Sequence, residues 1–390
     1  MTGVLISTLV AATGTNAQAD PVSDLLAQAR AIVATATSGE PLKVVVTSRT
    51  SGAPSISAIE ADSVAGALNL VVAALRKPST IGVDMAQPVR IAASNDPYRS
   101  SQWALTTFGA ETLWKTSTGK GVVVAVVDTG VALTHPDLRG RVLPGRDFIA
   151  PGTSPADENG HGSHVAGIIA ANANNRVGTA GLAPQALILP VRVLNSSGSG
   201  NSAGVAQGIV WAAQHGANVI NLSLSTNRSD NAIRAAVAYA QSRNIVVVAA
   251  AGNAGCGLLG SRISYPAAYP GVLGVGAISS NRKIASYSSC GSWVDVVAPG
   301  SGIVSTTIAS PSPGLGCPRG TMYCTLSGTS MATPYVAATA ALEIARLSKR
   351  FSQASIVSRL QRGATDLGRI GRDNSYGYGL INPSRLLAGR

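Results

Sequence analysis

Two of the four histidines in this 390-residue chain stand three apart, inside the stretch Asn159-Gly160-His161-Gly162-Ser163-His164. On one helical face such a pair could share a metal ion, or one ring could act as a base while the other packs. A zinc site would need at least a third ligand, a carboxylate or thiolate, at a compatible position. No glutamate lies between the two histidines, and His135 and His215 have no ligand-like spacing to them. Ligand counting therefore disfavours zinc.

A histidine base needs a nucleophile to act on, and a serine nucleophile needs a carboxylate behind its base. Gly200-Asn201-Ser202-Ala203-Gly204 fits the G-x-S-x-G turn of α/β-hydrolases, but that fold places its acid and then its histidine downstream of the serine. The last histidine is His215, and no Asp or Glu lies between it and Ser202. The match is a Gly/Ser-rich turn. A more workable set runs Asp128, His161, Ser330, with Asn253 between the last two. Asp128 follows the apolar run Val122–Val127, and His161 sits between two glycines at a helix start, where missing side chains would leave room for a substrate. A helix N-terminus lowers a histidine's pKa and a partnering aspartate raises it, a balance that suits a general base. Ser330, in Ser327-Gly328-Thr329-Ser330-Met331-Ala332, also opens a helix, so backbone N–H groups face a developing anion. Asn253, on a Gly-Asn turn, could donate its amide to the same anion. Singly, each of these residues suits a turn or a cap; their joint order on one pattern is what points to chemistry. Periodicity alone does not choose between His161 and His164 as the base.

The elements that must hold these residues alternate. Val122–Val127 suits a strand buried on both faces. A helix over 164–172 follows, then a strand over 186–194, a helix over 202–215, a strand over 218–224, a helix over 230–243 and a strand over 245–251. Such alternation predicts βαβ units and a parallel sheet, whose sites gather beyond the carboxyl ends of the strands. Asp128, Ser223 and Asn253 all fall there. A long helix is predicted over 329–347, with Pro334 tolerated near its first turn. Residues 20–95 read as a unit of their own, with a helix over 24–36 and a strand at 44–46. That unit contains no His and no Cys, so little chemistry can live in it.

Composition bounds the rest. Hydrophobic residues at 45% and charged ones at 12% suit a compact, loop-rich globular chain rather than a disordered one. No apolar run reaches the roughly 18 residues of a membrane span. The net charge of +12 resides wholly in residues 96–390, and seven cations fall between Arg346 and Arg372. Aromatics are only 4%, and no nucleic-acid motif accompanies the charge, so a solvated basic face is expected and no nucleic-acid partner. The cysteines Cys256, Cys290, Cys317 and Cys324 allow three pairings. Cys256–Cys290 with Cys317–Cys324 is the simplest framework and would imply an oxidising compartment; four free buried thiols is the alternative. Val4–Ala12 is a short apolar run, and Ala17-Gln18-Ala19 resembles a cleavage site. No Lys or Arg precedes the run, so the signal segment expected over residues 1–19 is atypical.

Three motifs in order carry a family resemblance: "VVDTG" at Val126–Gly130, "HGSHVAG" at His161–Gly167 and "GTSMATP" at Gly328–Pro334. The chain resembles the subtilisin-like serine proteases over nearly all of 96–390. The resemblance implies a three-layer αβα fold with a mostly parallel central sheet, preceded by a small α+β propeptide over 20–95. It makes Asp128 the orienting acid, His161 the base, Ser330 the nucleophile and Asn253 the oxyanion donor, with His164 packing behind. It assigns Ser223, Leu224 and Ser225 to pairing with an extended peptide, Ala250, Ala251 and Gly252 to one pocket wall, and Ser264 to the pocket base. Ser225 stands where the family often has glycine, which implies a narrower pocket rim. Asp96, Asp137 and Asn175 match positions that bind calcium in related enzymes. The implied protein is a secreted monomer acting on proteins and peptides. Its own propeptide serves as folding aid and inhibitor, occupying the cleft until cut between about Met85 and Asp96.

Overall fold

The computed structural model describes residues 21–36, 41–51, 53–86, 94–257, 261–348 and 350–389. The signal segment expected over 1–19 lies outside them, as does most of the interval expected to hold the propeptide cut. Contacts divide the chain into two compact units, Met1–Ile91 and Ala92–Arg390. This division falls just before the expected start at Asp96. Ser94 and Asn95 explain it: the Ser94 N–H donates to Glu111 and the Asn95 side chain accepts from the Arg176 N–H, both in the second unit.

The first unit contains α1 (Pro21–Val33), β1 (Lys43–Ser48), β2 (Ser55–Glu60), α2 (Val64–Leu75) and β3 (Thr80–Met85). Its sheet is antiparallel in the order β2-β1-β3. Val44 and Val46 alternate inward on β1 and pack with Ala29, Ala67, Val71, Val83 and Met85. The Ser63 hydroxyl accepts from the Gly66 N–H and caps α2.

The second unit begins with two short helices, α3 (Trp103–Phe108) and α4 (Ala110–Leu113). Then β4 (Val123–Asp128), β5 (Arg146–Asp147), α5 (His161–Ala170), β6 (Leu187–Arg192), α6 (Ser202–Gln214), β7 (Val219–Leu222), α7 (Asn231–Ser242), β8 (Val246–Ala250), β9 (Leu273–Ile278) and β10 (Val296–Pro299) build the main sheet and its helices. After a two-stranded antiparallel ribbon, β11 (Ile303–Thr306) and β12 (Tyr323–Leu326), come α8 (Thr329–Arg346), α9 (Gln353–Gly363) and α10 (Pro383–Leu387). The seven-stranded sheet runs β10-β9-β8-β7-β4-β6-β5, and every pairing in it is parallel.

The period of two along β4 sorts the layers. Val124 and Val126 face a cluster with Val165 and Ile169 of α5 and Val336 and Ala340 of α8, while Ala125 and Val127 face Ile209 of α6 and Val237 of α7. Helices thus cover both faces, which is why β4 reads as an unbroken apolar run. From β4 the chain crosses to β6 on one side and later returns to β7 on the other. The carboxyl end of β4, where Asp128 stands, is therefore the place where connections part and a crevice opens.

Helix α8 corrects one expectation. Pro334 is its sixth residue, beyond the first turn, so first-turn tolerance does not account for it. A residue there would normally donate its N–H to the Ser330 carbonyl, and proline has no N–H. The Ser223 hydroxyl takes that place, donating to the Ser330 carbonyl at 2.8 Å. The expected solvated basic face is also partly structural: Arg346 and Arg359 both pair with the fully buried Glu343. Both expected disulfides, Cys256–Cys290 and Cys317–Cys324, are present. Among the described residues no helix is long and apolar enough to cross a membrane.

Ser223→Ala would leave the Ser330 carbonyl and the Asn221 amide, which donates to Ser223 at 2.9 Å, without partners in a buried place. Denaturant unfolding should show a loss of about 2 kcal/mol, and an unchanged midpoint would mean that the proline needs no replacement donor.

Candidate active site

Asp128 is fully buried at the end of β4. Its Oδ1 accepts from the Thr129 N–H at 2.7 Å and from His161 Nδ1 at 2.8 Å. That second bond leaves Nε2 of His161 free to face the crevice, and the His161 side chain is 18% exposed. His161 is the first residue of α5. Burial works against its charged form, but the charge and hydrogen bond of Asp128, with Asp157 behind, outweigh burial and hold its pKa above the ordinary imidazole value.

The room beside the flanking glycines is used by the protein itself rather than by a ligand. A Cβ at Gly162 would meet the Gly130 carbonyl, and one at Gly160 would stand 2.6 Å from Thr307 Oγ1. Gly160 also has φ +107, a conformation that favours glycine. These close approaches let the start of α5 sit directly on the Asp128 turn.

His164 is fully buried, and its Nε2 donates to the carbonyls of Ile303 and Cys324 at 3.0 and 3.1 Å. Burial, with the neighbouring His161, pushes its pKa down to about 3. It is a neutral tie between α5 and the ribbon, and it does not reach the crevice.

Ser330 lies in the first turn of α8, where backbone N–H groups have no intrahelical acceptor. Its hydroxyl donates to the Ser223 carbonyl at 3.1 Å. The Oδ1 of Asn253 accepts from both the N–H and the hydroxyl of Thr329, each at 2.9 Å. Those bonds fix the amide orientation, so Nδ2, 3.4 Å from where a Cβ on Gly328 would stand, is the end left to donate.

A cavity of about 820 Å³ opens beside His161, walled by Leu194, Val205, Leu224, Ile233 and Leu315 and edged by Ser223–Thr226. Ser225 is exposed there and carries no main-chain hydrogen bond among the described residues, whereas the next residue, Thr226, pairs with Tyr265 in both directions at 2.8 Å. Ser202, the G-x-S-x-G serine, also lines this cavity; it opens α6, capped by Asn201. The cavity does not extend to the expected pocket wall. Ala250 and Ala251 are buried in the sheet. Gly252, at φ +103, is where space matters: a Cβ there would stand 3.3 Å from the Ser264 hydroxyl, which is buried without a partner among the described residues.

Two residues beyond those singled out in the sequence shape this site. Asp157 is buried, and its carboxylate accepts from the Asn159, Gly160 and Ser163 N–H groups and from the Thr129 and Ser163 hydroxyls. Thr129 Oγ1 in turn accepts from the Gly162 N–H at 2.9 Å. The signal in the sequence is a carboxylate just ahead of a helix start, Asp157 before His161.

The expected calcium residues do converge. The Asn175 N–H donates to Asp96 at 3.0 Å and its side-chain amide to Asp137 at 2.9 Å. Both carboxylates are buried, and neither has an Arg or Lys partner among the described residues. Burial, chiefly, with the charge of Asp96, pushes Asp137 up to about 6. The two buried carboxylates are met by the N–H groups of Asn174, Asn175 and Thr179 and by no basic side chain among the described residues, and their oxygens are of the hard type that calcium takes. Cys, His, Asp and Glu alone form no group of three that could hold a metal among the described residues.

Comparison with known proteins gives the site its kin. Residues 119–379 match the subtilase family, peptidase S8. Thermitase of Thermoactinomyces vulgaris is 47% identical over 249 residues, covering 64% of this chain and 84% of that protein. Subtilisin Savinase of Lederbergia lenta is 44% identical over 265 residues, covering 68% of this chain and 90% of that protein. Among solved structures, a protease of Pseudoalteromonas arctica superposes with a TM-score of 0.69 at 32% identity, over 76% of this chain and 99% of that one.

The Asp157 charge favours the imidazolium of His161, so Asp157→Asn should move the ring's titration to lower pH, followed by NMR of its carbon-bound protons. A titration unmoved from wild type would remove Asp157 from the groups that tune this ring.

Proposed function

The chain belongs to the subtilase family and is a subtilisin-like serine endopeptidase, and on that premise we propose that Asp128, His161 and Ser330 are its triad and that it is made as a self-processing, exported zymogen. The observation that carries the reading is the 2.8 Å bond from His161 Nδ1 to the buried Asp128, with the Ser330 hydroxyl bonded to the carbonyl of Ser223, a residue that edges the cavity His161 lines.

In the reaction, Ser330 Oγ turns from the Ser223 carbonyl towards the substrate and gives its proton to His161 Nε2 as it attacks the peptide carbonyl. Asp128 holds the ring in the tautomer with Nδ1 protonated and stabilises the imidazolium. The oxyanion is met by the Ser330 N–H and by Nδ2 of Asn253, whose other end Thr329 already holds. Such a donor is pre-oriented and needs no rearrangement as charge develops. The imidazolium then protonates the leaving amine, and water, activated by the same nitrogen, releases the acyl group. The acyl side of an extended substrate pairs with Ser223–Ser225, where the free backbone of Ser225 supplies hydrogen bonds with little sequence demand. Gly252 and Ser264, with Ala250 and Ala251 behind, form a pocket without charge for the residue that is cut.

Residues 20–95 are proposed as the propeptide, a folding aid and inhibitor removed between about Met85 and Asp96. Two disulfides support export to an oxidising compartment. Asp96, Asp137 and Asn175 would hold a calcium ion, which would supply the positive charge that these buried carboxylates lack.

Ser330→Ala should accumulate as full-length chain and release no peptides from casein; mass spectrometry showing normal processing would end the triad reading. Asn253→Ala should lose about 100- to 1,000-fold in kcat with little change in KM. Chelation should lower the melting temperature by roughly 5 °C, restored by calcium; a melting temperature indifferent to chelator would remove the ion from this loop.

A further inference from the structure

The ribbon β11–β12 is bound to the turn that carries His161 along its length. The Ser305 hydroxyl donates to the His164 carbonyl at 2.8 Å and the Thr306 hydroxyl to the Ser163 carbonyl at 2.7 Å. The Thr307 hydroxyl donates to the Gly160 carbonyl at 3.4 Å, and the Ser312 N–H to the Asn159 carbonyl at 2.7 Å. From the other side His164 Nε2 donates to Ile303 and Cys324. Between the strands, residues 307–322 form a loop that the Cys317–Cys324 disulfide closes. The loop is therefore anchored to the histidine turn at one end and covalently shortened at the other.

Its inner side reaches the substrate cavity. Leu315, half-buried, lines the cavity together with His161, Leu194, Asn159 and Thr129. A methyl of Leu315 lies 3.3 Å from where a Cβ on Gly160 would stand, so the side chain lies against the turn rather than pointing to solvent.

Successive side chains of an extended peptide point to opposite sides. If the residue whose carbonyl is attacked faces Gly252 and Ser264, the residue before it faces His161, Leu194 and Leu315. We propose that Leu315, held in place by the Cys317–Cys324 loop, caps the pocket for the substrate residue immediately N-terminal to the one that is cut and restricts it to compact side chains. This inference rests on the triad reading, since it takes its orientation from Ser330 and His161. Leu194 and Leu315 set the width of the pocket between the polar His161, Asn159 and Thr129, and one methylene against such apolar side chains is worth roughly 10- to 200-fold in selectivity.

The test is the ratio of kcat/KM for two peptides that differ only at that position, one bearing Leu and one Ala, measured on the processed enzyme. Leu315→Ala should raise the Leu-to-Ala ratio about tenfold, and Leu315→Phe should lower it by a similar factor. The Cys317→Ser, Cys324→Ser double variant should shift the ratio in the same direction as Leu315→Ala, because the loop then no longer holds the cap. Ratios within about twofold of wild type in both Leu315 variants would overturn the proposal. An unchanged ratio in the double variant would overturn the disulfide's part in it. Wild-type enzyme that cleaves neither peptide would instead sink the triad reading, and this inference with it.

Discussion

A carboxylate buried at the end of a central strand must find hydrogen-bond donors, and in this fold the first turn of α5 brings them. Asp128 takes the imidazole of His161 and the N–H of its own successor. Asp157 takes three backbone N–H groups around the start of the same helix. Two buried charges thus converge on one helix start, where the dipole favours negative charge. The helix can come this close only because Gly162 lacks a Cβ that would strike the Gly130 carbonyl. Proximity of strand end and helix start sets both the position of His161 and the pull on its proton.

The serine side of the crevice depends on a different repair. Pro334 deprives the Ser330 carbonyl of its helical donor, and Ser223 replaces it while lending its own carbonyl to the Ser330 hydroxyl. The end of β7 and the start of α8 are therefore locked to each other at the nucleophile. Thr329 locks Asn253 in the same manner. Each side chain expected to act is held by one beside it whose task is orientation, as pre-organised catalysis requires.

Much of this was legible in the chain. The expected strands and helices between 122 and 251 and the long helix from 329 lie within a few residues of their observed bounds, because unbroken apolar runs and helical periodicity both report burial. The order Asp128, His161, Asn253, Ser330 was legible because each follows or opens an element. Less visible were β9, β10 and the ribbon: Leu273–Ile278 holds two glycines, and the ribbon strands are four residues each. Periodicity needs longer runs than these to declare itself. The reading of Gly160 and Gly162 as room for substrate was mistaken in its physics, since Thr307 and Gly130 take that space.

By itself, the sequence determined which chemistry was available and in what order along the chain, because residue type and local pattern are properties of neighbours in sequence. The family motif named His161 over His164, but the contacts that turn one ring to the crevice and bury the other exist only in the tertiary structure. His161 and His164 stand on the same helix, three residues apart, and differ in what lies across from each: a buried carboxylate for one, two ribbon carbonyls for the other. Those partners are 33, 139 and 160 residues away in the chain. Contacts over such separations leave no trace in local pattern, and they set the tautomer and ionisation on which the roles of the two rings depend.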